Sequence, residues 1–357
     1  MLKQFGEEGQ RKLLRASVLV VGAGGLGCPA LQYLVAAGIG KIGVVDDDLV
    51  SLHNLHRQIL FTTKDVGLRK VDAAAKRLRE MNPEVEIVSH PFRLTNRNAL
   101  NLLADYDLVV DATDNFSTRY LINDACVLLH KPFVYGAVSQ FEGQVSVFNA
   151  GENGVNYRDL FPQPPEPGSV LNCADAGVLG VLPGLIGTMQ ATEVIKLVAG
   201  LGNLLMNQLF TYNALTNESF VFTLSKNEEV KASVPESFDA FERFDYDWLC
   251  NASAATEEID AASFDAMRQT KNVLVIDVRE EGEQPAVSEF SHAKIPLSVL
   301  KTGVRKIDGG TVVLFCQSGK RSLEAARIMS TSFGATKKIY SLKGGILYWK
   351  QQHGTKA

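Results

Sequence analysis

A chain of 357 residues is longer than one domain usually runs, so two domains are expected. Its content, 46% hydrophobic and 21% charged with a net charge of −4, is that of an ordinary globular protein and gives no basic face for nucleic acid. No apolar run reaches the roughly 18 residues that span a bilayer, and Met1-Leu2-Lys3-Gln4-Phe5-Gly6-Glu7-Glu8 has neither a signal core nor a cleavage site, so a cytoplasmic location without a membrane partner is expected.

In chain order, residues 17–21 and 41–45 read as buried parallel strands joined by a crossover helix over 26–37. A second helix over 70–81 is stopped by Asn82-Pro83. Strands follow at 84–88, 107–111 and 133–138, with a helix over 116–129 before the last of them. This rhythm implies a doubly wound, Rossmann-like α/β sheet. Residues 143–149, 208–213 and 219–224 alternate like antiparallel strands and extend it. The proline-rich stretch from Phe161 to Gly168 can be neither helix nor central strand, and a mobile crossing loop is expected there. From 226 to 257 periodicity fades and charge rises, which suits a linker. A second, smaller α/β unit then occupies 258–357, with strands at 273–277 and 311–315 and a helix over 322–329. The domain reading is therefore 1–225, a linker over 226–257, and 258–357.

The first strand runs into Gly22-Ala23-Gly24-Gly25-Leu26-Gly27 and a helix, where backbone N–H groups can meet a phosphate chain. Asp46 ends the next strand and can accept from a ribose. That much fits any nucleotide, including NAD. Three further groups favour a triphosphate with magnesium: Asp46-Asp47-Asp48 leading into His53-Asn54-Leu55-His56-Arg57-Gln58, Gly67-Leu68-Arg69-Lys70 opening a helix, and Asp111-Ala112-Thr113-Asp114-Asn115 closing a strand. There is no GxxxxGK[ST] loop, which excludes a P-loop ATPase.

Residues 18–27, 45–58, 107–119 and 172–184 resemble the MoeB/ThiF family, relatives of ubiquitin-activating enzymes, and the resemblance extends over about 5–224. It implies adenylation, with ATP and Mg2+, of the C-terminus of a ubiquitin-like sulfur carrier, MoaD-like or ThiS-like, for molybdenum cofactor or thiamine biosynthesis. The nucleotide-binding set it implies is Gly22, Gly24, Gly25, Gly27, Asp46, Asp48, Asn54, Arg57, Gln58, Lys70, Asp114 and Asn115. Gly25 would touch the phosphates, Asp46 the ribose, and Asn54 and Arg57 the triphosphate and attacked α-phosphate. Lys70 would neutralise charge and Asp114 would hold magnesium. A two-fold homodimer is implied as well.

The five cysteines, Cys28, Cys126, Cys173, Cys250 and Cys316, form no CxxC pair, so neither a disulfide framework nor a thiolate zinc site is suggested. Cys28 and Cys126 sit on helices and read as packing. Cys250, beside the linker, is given no role. Cys173 follows the proline-rich loop, and the resemblance implies a thiol that attacks the acyl-adenylate. Cys316 ends a strand and opens Cys316-Gln317-Ser318-Gly319-Lys320-Arg321 before a helix, where loop N–H groups, the helix dipole and Arg321 favour a thiolate or persulfide. With Asp277-Val278-Arg279-Glu280 and Leu342-Lys343-Gly344-Gly345, this unit resembles a rhodanese domain, charged by a persulfide donor such as a cysteine desulfurase. Tyrosine phosphatases share the strand–Cys–loop–Arg plan with one more loop residue. The usual His-Ile-Pro-Gly segment is compressed here to His292-Ala293-Lys294-Ile295-Pro296.

Two departures from the family pattern stand out. Many relatives bind structural zinc with two CxxC pairs, but the first location here reads Asn156-Tyr157-Arg158-Asp159 and nothing replaces the second after Leu224, so no zinc is expected. Relatives also carry an N-terminal Arg arm, of which this chain shows only what looks like the end, Phe5 to Gln10; either the start is truncated or the charge comes from elsewhere. The missing arm motivates an alternative, a non-catalytic carrier-docking and sulfur-relay protein with weakened ATP chemistry. An NAD-dependent oxidoreductase is disfavoured because no acid–base set adjoins a nicotinamide position.

Overall fold

The computed structural model describes residues 2–164, 177–227, 230, 233–246, 257–270, 272–302, 310–333 and 337–353. The chain separates into two compact units, one of residues 1–163 and 171–243, the other of residues 164–170 and 244–357.

In the first unit, α1 (Gly6–Arg15), β1 (Ser17–Val21), α2 (Gly27–Ala37), β2 (Lys41–Val45), α3 (Lys70–Met81), β3 (Glu86–His90), α4 (Ala99–Ala104), β4 (Leu108–Asp111), α5 (Phe116–Leu128) and β5 (Phe133–Ser139) precede β6 (Glu142–Phe148) and α6 (Tyr157–Leu160). After these come α7 (Leu182–Ala199), β7 (Gln208–Asn213), β8 (Ser219–Thr223) and α8 (Phe238–Arg243), the last lying within the stretch expected as linker. The strands form one sheet in the order β3-β2-β1-β4-β5-β6-β7-β8. The five on the β3 side are parallel, and the pairs from β5 to β8 are antiparallel. Central strands are buried on both faces, as Val18, Leu19, Val20 and Val109 show, which explains why they read as continuous apolar runs. This is the doubly wound α/β architecture with an antiparallel extension that the sequence predicts.

Two local differences have plain causes. β3 starts two residues later than expected because Asn82 does more than stop α3: its Oδ1 accepts from the Glu84 N–H at 3.2 Å, drawing Glu84 and Val85 into the turn. Helix α1 was read only as the end of an arm. Glu7 and Glu8 in its first turn and Lys12 and Arg15 in its last suit the helix dipole, and Leu13 is buried. Its Lys12 Nζ donates to the Ala199 carbonyl at the end of α7, and its Gln10 to the Ala37 carbonyl at the end of α2.

Around α6, where relatives were expected to place cysteines, the structure has a polar clamp. Asn156 and Asp159 form a capping box. Asp159 Oδ1 also accepts from the backbone N–H of Asn227 at 2.9 Å, which ties the start of α6 to the stretch after β8. Arg158, fully buried, forms a two-bond ion pair with Asp124 of α5 at 2.7 and 2.8 Å. Its guanidinium also lies over the Tyr120 ring.

The second unit contains β9 (Glu257–Ile259), α9 (Ala261–Met267), β10 (Val273–Asp277), β11 (Ala293–Lys294), α10 (Leu297–Thr302), β12 (Thr311–Phe315), α11 (Lys320–Phe333), β13 (Lys338–Leu342) and α12 (Gly345–Gln352). Its parallel sheet has the order β11-β10-β12-β13-β9. Ile276, Val312, Leu314, Ala326 and Met329 form one core, and Phe264, Phe315, Ile346 and Trp349 form the other. Two cores, one per sheet face, are what a small parallel sheet requires.

Candidate functional site

A cleft of about 350 Å³ opens at the C-terminal ends of β1, β2 and β4, where doubly wound sheets hold ligands. The Gly-rich turn forms its floor. Gly22 has φ of +100°, and a Cβ there would lie 2.6 Å from the Ala112 carbonyl oxygen. Gly27 does not line the cleft; a Cβ on it would come within 1.9 Å of the Gly22 oxygen, so its task is to seat α2 against β1.

Of the residues expected from the sequence, Gly22, Gly24, Gly25, Asp46, Asp48, Arg57, Gln58, Lys70, Asp114 and Asn115 line the cleft together. Asn54 stands behind them, accepting from Arg57 Nη2 at 3.1 Å, and His56 Nε2 lies 2.9 Å from the other terminal nitrogen. Because a guanidinium only donates, that imidazole nitrogen must be its acceptor. Asp46 organises the turn by accepting from the N–H groups of Ala23 at 2.8 Å and Asp48 at 2.9 Å. Burial pushes its carboxyl above the usual range, against the pull of Lys70 and those hydrogen bonds. The Lys70 side chain is 5% exposed, with Nζ 2.6 Å from Asp48 and 3.9 Å from Asp46. Asn115 spends its carbonyl oxygen capping α5, accepting from the Thr118 N–H at 2.9 Å.

Phe92, Arg93 and Leu94 also line the cleft, as do Asp47, Arg119 and Pro183. Arg93 follows β3 closely, so the strand-end rule applied to that strand would have found it. Arg119 Nη2 donates to the Thr113 carbonyl and steadies the turn that carries Asp114. No motif pointed to it.

A nucleotide suits these residues. The Gln58 Oε1 is buried without a hydrogen-bond partner and wants a donor, which a ribose hydroxyl or an adenine amino group can be. Lys70 and Arg57 offer cations to phosphates, and the turn offers N–H groups. For magnesium, Asp114 presents an exposed carboxylate at the cleft. Among the described residues, the carboxylates of Asp46, Asp47 and Asp48 lie within 4.8 Å of one another.

A second reactive position lies in the other unit. Cys316 is fully buried at the end of β12. Its Sγ accepts from the Gly319 N–H at 3.2 Å, and the Ser322 hydroxyl is 3.6 Å away. Ser341 donates to the Ser322 oxygen at 2.9 Å. The sulfur therefore faces a backbone amide at the start of α11, a neutral donor for an anion. The Ser322 hydroxyl lies 3.0 Å from the Gly319 carbonyl oxygen, the nearer acceptor of its one proton. Arg321 donates from Nη1 and Nη2 to Glu283 at 2.5 and 2.7 Å, so its guanidinium is already paired. Ser322 and Glu283 were not anticipated.

Cys173 and Cys250 fall outside the described residues. Cys28 and Cys126 are buried, and burial raises both thiols, Cys28 to about 12, which suits packing. Among the described residues no helix is long and apolar enough to cross a membrane.

The ThiF family profile matches residues 1–233, and the rhodanese-like domain profile matches 260–352. A protein named sulfur carrier protein adenylyltransferase from Thermus thermophilus is 52% identical over 254 residues, 70% of this chain and 93% of its own length. Mycobacterium tuberculosis MoeZ, named a probable adenylyltransferase/sulfurtransferase, is 38% identical over 99% of this chain and 91% of its own. The adenylyltransferase and sulfurtransferase MOCS3 of Aedes aegypti is 40% identical over 93% of this chain and 80% of its own. In fold, the chain is similar to a crystal structure of E. coli MccB with ATP, with a TM-score of 0.55 at 21% identity over 62% of this chain and 68% of that one. With kinship of this extent to enzymes bearing both names, it is an adenylyltransferase and sulfurtransferase. The chain belongs to the ThiF family and carries a rhodanese-like domain after its ThiF domain.

Proposed function

We propose that this chain adenylates the C-terminal glycine of a ubiquitin-like sulfur carrier, MoaD-like or ThiS-like, and then converts it to a thiocarboxylate with sulfur from Cys316. The supporting observation is the pairing, in one chain, of a cleft that gathers Arg57, Lys70, Asp114 and the glycine turn with a buried sulfur held by a neutral donor.

A carboxylate is a poor electrophile, and adenylation gives it a good leaving group. The carrier carboxylate attacks the α-phosphorus of ATP and pyrophosphate departs. Arg57, aimed by Asn54, and Lys70 offset the charge that builds up there. Asp114 would hold the magnesium ion, whose chemistry is to polarise the phosphate oxygens. A persulfide on Cys316 then attacks the acyl carbon, expelling AMP and leaving an acyl disulfide. A second thiolate, assigned to Cys173, takes the Cys316 sulfur and frees the thiocarboxylate. The resulting disulfide is reduced by an external thiol. The sulfur comes from a persulfide donor such as a cysteine desulfurase, and the working unit is a homodimer in the cytoplasm.

The test is pyrophosphate exchange with purified MoaD-like and ThiS-like carriers side by side. Exchange that depends on one carrier supports the reading and names the pathway. Absence of exchange with either, while the carrier still binds, favours a relay protein.

A further inference from the structure

A free guanidinium at the start of α11 would be a receptor for an anionic sulfur donor. Arg321 is not free. Both its terminal nitrogens donate to the two carboxylate oxygens of Glu283, in the fork geometry that sulfur oxyanions also fit. Glu283 comes from the loop after β10, 38 residues earlier in the chain. That loop is tied down on several sides. The Glu280 N–H donates to Glu283 at 2.8 Å, Arg279 Nη1 to the Pro285 carbonyl at 2.9 Å, and Gln317 Nε2 to the Gln284 carbonyl at 3.3 Å. Of the other cations nearby, Arg279 is paired with Asp277 and Lys320 is exposed to solvent. Hydrogen bonds from Arg321 hold the Glu283 carboxyl at about 2, so the pair stays ionised through the working pH range.

The two classes of sulfur donor make different demands. With a neutral persulfide R–S–SH, the Cys316 thiolate attacks the outer sulfur. The S–S bond of the donor breaks, Cys316–S–SH forms, and the thiolate RS− leaves. With thiosulfate, the thiolate attacks the sulfane sulfur, Cys316–S–S− forms, and sulfite leaves with the electron pair. The second route brings a dianion up to an anion and needs a cation to offset the repulsion. Arg321 is placed for that, and Glu283 already neutralises it.

We propose that Glu283 is a specificity-determining residue of the sulfur site: by occupying the guanidinium fork of Arg321 it disfavours small oxyanionic donors and leaves Cys316 to persulfides. This rests on Cys316 being the atom that carries sulfur. The pair is 34% and 25% exposed, in the range where an ion pair contributes at most about 1 kcal/mol, so the expected discrimination is about fivefold.

The experiment compares kcat/KM of the full-length protein for thiosulfate and for a neutral alkyl persulfide, with cyanide as acceptor. The readout is the ratio of the two within each variant, which a loss of folded protein does not move. Glu283→Gln should raise the thiosulfate-to-persulfide ratio about fivefold, chiefly through a lower KM for thiosulfate. Glu283→Ala should do the same, and Glu283→Gln with Arg321→Gln should return the ratio to the wild-type value. An unchanged or lower ratio in both single variants, or a gain that survives loss of Arg321, overturns the proposal. Cys316→Ser separates the premise from it. If that variant keeps both activities, the sulfur-carrying role of Cys316 fails; if it is inactive while the ratio never moves, only the role of Glu283 fails.

Discussion

The Lys70 ammonium lies where water barely reaches, a place tolerable only beside anions. Asp46 and Asp48 supply them now, and phosphates would share the task in catalysis. Arg57 is more exposed to change, because its aim depends on Asn54 and His56. Arg57→Ala should lower carrier-dependent pyrophosphate exchange by about 100-fold or more, and Asn54→Ala by about tenfold, since the second loses aim and keeps the charge. Exchange assays at saturating ATP check both, and near-wild-type rates would remove these residues from the chemistry. Asp46 gives a pH signature. Its raised pKa means that acidification neutralises it before an ordinary aspartate near about 3.9. The Ala23 and Asp48 amides then lose their charged acceptor, so KM for ATP should rise earlier on the acid side than in Asp46→Asn, where that limb should be flat. For stability the sign is reversed: a raised value means folding penalises the ionised form, so this group favours the fold below its unfolded pKa and loses that contribution as pH rises through the folded one. At this scale the resemblance reached ten lining residues, several of them at strand ends or in the glycine turn. Gly27 and Asn54 share those motifs but act one layer back, and a linear pattern carries no depth.

Elements were legible where periodicity is strong. Helix α3 and strands β1, β2, β7, β10 and β12 begin and end where the sequence places them, because apolar periodicity or continuous apolar runs mark them plainly. Helices α4, α6 and α8 are short and held by contacts distant in sequence, such as the Tyr157 N–H on Asn123, which no local pattern announces. The join of β1 to α2 is the element on which the cleft depends. Gly27→Ala would push a methyl to within 1.9 Å of a backbone carbonyl that cannot yield cheaply. A loss of about 1–3 kcal/mol or more is expected, together with weaker ATP binding from a displaced turn. Thermal unfolding with and without ATP checks this, and a wild-type melting point would mean that α2 can slide.

At the scale of the whole chain, the two chemistries sit in separate compact units, which makes them separable by mutation. Cys316→Ser should block thiocarboxylate formation by removing the sulfur-bearing atom, while pyrophosphate exchange stays at the wild-type rate. Cys173→Ser should also spare exchange but leave the carrier held on Cys316 as the unresolved acyl disulfide. Mass spectrometry of the carrier reads both. Full thiocarboxylate yield from Cys316→Ser with the same donor would leave the second unit with a different role. The two-unit plan was legible because the glycine turn and the cysteine loop each follow a strand and open a helix. The Glu283–Arg321 pair was not, since nothing local marks residues 38 apart as partners.

The bond from Asn227 to Asp159 bears on how firmly the stretch after β8 is held within the first unit, which continues to Arg243. Asn227 lies four residues past the end of β8, where an amide proton would ordinarily trade with solvent in step with a fraying end. Anchored to a carboxylate that also closes the start of α6, it should instead exchange with deuterium slowly, at the pace at which α6 itself opens. Asp159→Ala should release it to the rate of a free chain and leave the exchange of β1 and β4 untouched.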